Sequence, residues 1–121
     1  MARILIVEDS PTEQTAMVLL LRQHGHEVWT ADNGQKALDA ARDCQPQLIF
    51  MDVVMPILNG YQATRELKKD AATADIPVVM LTSKTQDSDR YWGMRQGAQA
   101  YLCKPASSED ILKTVAQFVT D

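Results

Sequence analysis

Three short apolar runs, Ile4-Leu5-Ile6-Val7, Leu48-Ile49-Phe50-Met51 and Val78-Val79-Met80-Leu81, punctuate the chain, and a charged or hydroxyl side chain follows each at once. A continuous run of this length, bounded by segments of helical period, reads as a strand buried on both faces. Strands are expected near 3–8, 26–31, 47–52, 77–82 and 99–103, and helices near 11–24, 33–43, 60–70, 86–96 and 107–119. That alternation specifies an α/β fold, a parallel sheet with helices on both faces. His26-Glu27-Val28-Trp29-Thr30 mixes polar and apolar residues and suits an edge strand.

Local signals support the helix boundaries. Ser10-Pro11-Thr12-Glu13 reads as a capping box with proline at the first helical position. Gly25 and Gly97 stand where helix-ending turns require a positive φ. Ile111, Leu112, Val115, Phe118 and Val119 form one apolar stripe for packing on the sheet.

A length of 121 residues with 45% apolar content suits one domain spanning 1–121. The formal charge of -4 is spread without a basic run, which argues against a nucleic-acid partner. No apolar stretch approaches the roughly 18 residues of a spanning helix, and no leader precedes the first strand, so a cytoplasmic protein without membrane insertion is expected. Cys44 and Cys103 lack metal-ligand spacing and read as small packed residues.

Parallel strands bring their carboxyl ends to one rim, where open α/β sheets form their binding crevice. Glu8 and Asp9, Asp52, Thr82 and Lys104 each stand at such an end. A carboxylate can attack phosphorus to give an acyl phosphate, but needs electrostatic help against a phosphoryl group of the same sign. Asp52 is the candidate nucleophile. Glu8 and Asp9 offer hard oxygen ligands to Mg²⁺, Lys104 a second positive charge, and Thr82 a neutral donor.

Glu8-Asp9, Met51-Asp52 with Met55-Pro56 and Asn59-Gly60, Thr82-Ser83, and Lys104-Pro105 together closely resemble the receiver domain of two-component response regulators. The resemblance spans essentially the whole chain. It implies a CheY-like, flavodoxin-like doubly wound sheet of five parallel strands, order 2-1-3-4-5, with five helices. It also implies that Asp52 is phosphorylated, and that Glu8, Asp9, Asp52 and the main-chain carbonyl of Val54 hold Mg²⁺. Thr82 and Lys104 become the pair that senses the phosphoryl group, Tyr101 the aromatic switch that turns inward with Thr82, and Lys104-Pro105 a cis peptide. Glu8 replaces a commoner aspartate. Val54 and Lys84 fall where receivers tune acyl phosphate decay.

Residues Asp89 to Ala98, with Tyr101-Leu102 and Lys104-Pro105, are similar to stand-alone receivers of type IV pilus and phototaxis systems, the PilH and PixH kind. This implies a CheA-like sensor histidine kinase as donor, a downstream effector or pilus motor protein as target, and a monomer or weak dimer. With no residues beyond the final helix, output is expected to pass through another protein. Tyr91 and Trp92 are candidate interface anchors, although helical spacing favours burial of at least one, and of Trp92 in particular. A phosphate sink for a shared kinase is the alternative role. A haloacid-dehalogenase-like aspartyl-phosphate phosphatase would want an acid at the place of Val54, and a flavin module would want no carboxylates at 8 and 9.

Overall fold

The computed structural model describes residues 2–119. Strands and helices alternate as expected: β1 (Arg3–Val7), α1 (Pro11–Gln23), β2 (Glu27–Ala31), α2 (Gly34–Cys44), β3 (Leu48–Met51), α3 (Gly60–Lys69), β4 (Val78–Thr82), α4 (Asp87–Arg95), β5 (Ala100–Cys103) and α5 (Ser108–Phe118). All pairings are parallel and the order is β2-β1-β3-β4-β5, the doubly wound flavodoxin-like arrangement. The chain reverses its winding direction between β1 and β3. Ligands of open α/β sheets bind beyond the strand ends at such a point.

Strand residues alternate between the two faces. Leu5, Val7, Ile49, Met51 and Val78 pack with Ala37, Leu38 and Ala41 of α2 and Ala63 and Leu67 of α3. Ile4, Ile6, Leu48, Phe50, Val79 and Leu81 pack on the other side with Met17 and Leu21 of α1 and Ile111 and Val115 of α5. Each fully buried side chain of this size contributes roughly 1.5–3 kcal/mol, so the central strands form a stiff platform for whatever follows them. Gly25 and Gly97 take φ of 85° and 110°, as their helix-ending positions require. Cys44 and Cys103 are free and half-buried. No helix among the described residues is long and apolar enough to cross a membrane.

Two expectations need correction. At the start of α1, Ser10 accepts a hydrogen bond from the Glu13 amide at 3.4 Å, but the return bond of a capping box is missing. The Ser10 amide donates instead to Glu8 Oε2 at 3.1 Å, leaving the Glu13 carboxylate for other work. Trp92 is not buried: it is 51% exposed and Tyr91 62%. The reason lies in Gly93, the one buried residue of α4. A Cβ there would stand 2.8 Å from Met80 Sδ and 3.1 Å from the Tyr101 ring, so the helix lies against the sheet through its glycine and turns both aromatic residues outward.

Candidate functional site

Register sets the site. Ile4 pairs with Leu48 and Val7 with Met51, so β1 and β3 end level. The ladder continues one step further, with the Asp52 amide donating to the Val7 carbonyl and the Glu8 amide to the Ala31 carbonyl, both at 3.0 Å. Glu8 and Asp52 are thereby fixed side by side on the rim, both buried, with Asp9 exposed beside them. Oxygens of these three carboxylates lie within 4.8 Å of one another.

Each buried carboxylate is held by the backbone beneath it. Asp52 Oδ1 accepts from the Val53 amide at 2.7 Å, which leaves Oδ2 facing Lys104 Nζ at 2.8 Å. Glu8 splits its oxygens between the Ser10 amide and Lys104. Lys104 is brought in by β5: its amide donates to the Thr82 carbonyl at 2.8 Å, and the peptide to Pro105 is cis. Its ammonium meets a third carboxylate, Glu13 Oε1, at 3.1 Å. An ammonium has three donors and no acceptor, and here it meets three carboxylates, two by hydrogen bond and Glu13 by ion pairing.

Burial pushes the Glu8 carboxyl up to about 7, with the nearby Asp52 charge adding to it and the bonds from Lys104 and the Ser10 amide opposing it. Burial disfavours the Lys104 charge, but its bonds to Asp52, Glu8 and Glu13 outweigh that and raise its pKa. Such crowding of acids is a demand for positive charge, and a set of hard carboxylate oxygens suits a divalent cation such as Mg²⁺. Because folding raises the Glu8 pKa from its ordinary 4.5, its stabilising contribution is complete below pH 4.5 and is lost as pH rises to about 7. We expect the metal-free wild type to lose about 1–2 kcal/mol relative to Glu8→Gln between pH 4.5 and 7, less than full linkage because solvent enters the cleft. Urea midpoints across that range in the presence of a chelator measure it. Parallel profiles would mean that Glu8 titrates at its ordinary value.

The carboxylates and Lys104 form one end of a cleft of about 680 Å³. Val54 and Ser83 also line it, and Met17 and Leu20 of α1 and Ile111 of α5 add apolar lining. Residues 4–116 match the family profile of the response regulator receiver domain. The chain belongs to this family. Over 115 residues the receiver is 53% identical to protein PilH of Pseudomonas aeruginosa, covering 95% of each chain. It is 36% identical over 117 residues to protein PilG of the same organism, covering 97% of this chain and 87% of that one. Among solved structures, chemotaxis protein CheY4 of Vibrio cholerae superposes with a TM-score of 0.92 at 31% identity, covering 98% of this chain and 99% of that one. The receiver domain of a sensor histidine kinase from Pseudomonas aeruginosa, with a magnesium ion coordinated in its active site cleft, superposes with a TM-score of 0.90 at 31% identity, covering 97% and 96%.

Of the residues singled out in the sequence, Glu8, Asp9, Asp52, Val54 and Lys104 meet around the receiver's cleft. Thr82 is fully buried at the end of β4, where its hydroxyl accepts from the Lys84 amide at 3.3 Å, and its neighbour Ser83 lines the cleft. Tyr101 lies inward, 6% exposed, and its hydroxyl donates to the Lys84 carbonyl at 2.7 Å. Arg90 covers it from α4, with the guanidinium 5.4 Å from the ring centroid and a bond to the Tyr101 carbonyl. Glu13 is the residue that sequence reasoning assigned elsewhere. Its place three residues after Ser10 reads as a capping box, of which only the Ser10 half forms.

Proposed function

We propose that this receiver is a phosphoacceptor switch in which Asp52 takes a phosphoryl group from the phosphohistidine of a sensor kinase. The observation that supports it is Asp52 itself, a carboxylate oriented by the Val53 amide, paired with Lys104 and sharing a cleft with the carboxylates of Glu8, Asp9 and Glu13. An Asp52 oxygen attacks phosphorus, the P–N bond to the donor imidazole breaks, and its electron pair leaves with the imidazole as it gains a proton. Glu8, Asp9, Asp52 and the Val54 carbonyl would hold Mg²⁺, whose charge offsets that of nucleophile and phosphoryl oxygens. Lys104 neutralises a further oxygen, and the Thr82 hydroxyl binds another.

Transfer biases a two-state equilibrium through the β4 end. Thr82 and Tyr101 both bond to the backbone of Lys84, the Thr82 hydroxyl to its amide and the Tyr101 hydroxyl to its carbonyl. Displacement of Thr82 toward the phosphoryl group therefore reaches Tyr101, and through Arg90 the α4 face. We read the chain as a single cytoplasmic signalling domain rather than an enzyme acting on a separate substrate. Its likeness to PilH and PilG supports a role in chemotaxis-like control of type IV pilus motility, with a CheA-like kinase upstream and an effector downstream.

The test is intact mass after incubation with Mg²⁺ and acetyl phosphate. We expect a gain of one phosphoryl group, absent when the metal is chelated. No gain under conditions that load another receiver would remove this function.

A further inference from the structure

We propose that Glu13 is a positioning residue of the phosphoryl site: Lys104 holds its carboxylate across the mouth of the cleft, where its charge slows phosphorylation from small anionic donors. This deepens the function proposed above and rests on it.

Glu13 stands at the helix position where a glutamate closes a capping box, and here it does not close one. The Ser10 amide it would accept from is taken by Glu8. Freed from the cap, the Glu13 carboxylate reaches Lys104 Nζ at 3.1 Å and lines the cleft together with Asp9 and Asp52. Its side chain is 51% exposed, whereas those of Glu8 and Asp52 are 7% and 9% exposed. Glu13 is thus the outermost of the three anions that bond the ammonium. It also lies outside the carboxylate trio able to share one cation, so a metal on that trio leaves the Glu13 charge uncompensated except by Lys104.

A phosphodonor entering this mouth meets the Glu13 charge before it reaches Asp52, and Glu13 competes with its oxygens for the Lys104 ammonium. A protein donor brings binding energy from contacts remote from phosphorus to offset that penalty, and a small acyl phosphate has none. With a dianionic donor some 6 Å away in a water-like dielectric, one charge amounts to roughly a tenfold factor in second-order rate at low salt. For a monoanionic donor the factor is about the square root of that, and salt screens both.

The experiment compares wild type, E13Q and E13D, each loaded with Mg²⁺, using acetyl phosphate and the less charged phosphoramidate at low and high salt. E13Q is expected to accelerate acetyl phosphate transfer about three- to tenfold, mostly through a lower half-saturating donor concentration. The gain should be smaller with phosphoramidate and shrink in about 0.5 M salt. E13D keeps the charge and should stay near wild type. A second readout needs no transfer: trifluoroberyllate, an anion of phosphoryl shape, should bind E13Q more tightly, as followed by amide NMR shifts. An unchanged or slower E13Q, an equal gain with both donors, or E13D as fast as E13Q would overturn the proposal. None of these touches the function itself, which fails only if wild type takes no phosphate from either donor.

Discussion

Asp52→Asn is expected to take up no phosphoryl group from any donor and to unfold at a higher urea concentration than wild type. The first effect follows because an amide oxygen is no nucleophile toward phosphorus at neutral pH. The second comes from the charge balance. Glu8, Asp9, Asp52 and Glu13 crowd one rim, and Lys104 is the cation that bonds three of them. Asparagine keeps an oxygen to accept from the Val53 amide, so the orienting bond survives while one anion is removed. Lys104 retains Glu8 and Glu13. Relief of like-charge repulsion is worth about 1 kcal/mol, the usual direction of exchange between stability and function at a site built for a bound cation. Mg²⁺ should raise the wild-type midpoint and close much of this gap, since a ligand that binds the folded state alone stabilises it by mass action. Intact mass and urea midpoints with and without Mg²⁺ decide both parts. A lower midpoint for the variant in the absence of metal would show that the Asp52 to Lys104 pair outweighs the repulsion.

Why the rim was legible in the sequence, and the surface less so, has a physical basis. The runs at 4–7, 48–51 and 78–81 are buried on both faces, so each reads as a strand without reference to any neighbour. Parallel pairing then leaves no freedom over which ends share a rim. Glu8, Asp52 and Lys104 therefore fall on one rim from the strand pattern alone. Glu13 and Trp92 depend instead on tertiary choices. The spacing of Ser10 and Glu13 is satisfied equally by a reciprocal cap and by a carboxylate drawn off to Lys104, and only the competing Glu8 bond to the Ser10 amide decides. Trp92 follows helical spacing that suits burial, yet the contact of α4 is made by Gly93, a residue whose lack of a side chain hides it from any hydrophobic pattern. Gln45 and Ile57 both adopt positive φ, at 46° and 70°, with neither glycine nor asparagine to announce the turn.

Gly60→Ala should be the single methyl most damaging to phosphoryl transfer in the receiver. A Cβ at Gly60 would stand 2.0 Å from the Asp52 carbonyl oxygen and 2.8 Å from its carbon, with Val53 Cα at 2.9 Å. All three are backbone atoms, so no rotamer change relieves the overlap. The helix start is itself well anchored, by the Asn59 to Gln62 capping box and by the Gly60 amide donating to the Val53 carbonyl at 2.9 Å. The strand end must therefore yield, and with it the peptide that carries the phosphoacceptor. We expect a loss of about 3 kcal/mol or more in stability. A displacement of about 1 Å in a reacting group can lower the rate 10²-fold, so Mg²⁺-dependent phosphorylation should fall by roughly that factor even where the variant remains folded. Gly34→Ala separates the two effects. Its Cβ would stand 2.1 Å from the Leu58 carbonyl oxygen, an overlap of the same severity, but it does not abut Asp52. That variant should lose comparable stability and keep its rate of phosphorylation when assayed cold and folded. Equal loss of rate in both variants would mean that general loosening, rather than the position of Asp52, limits transfer.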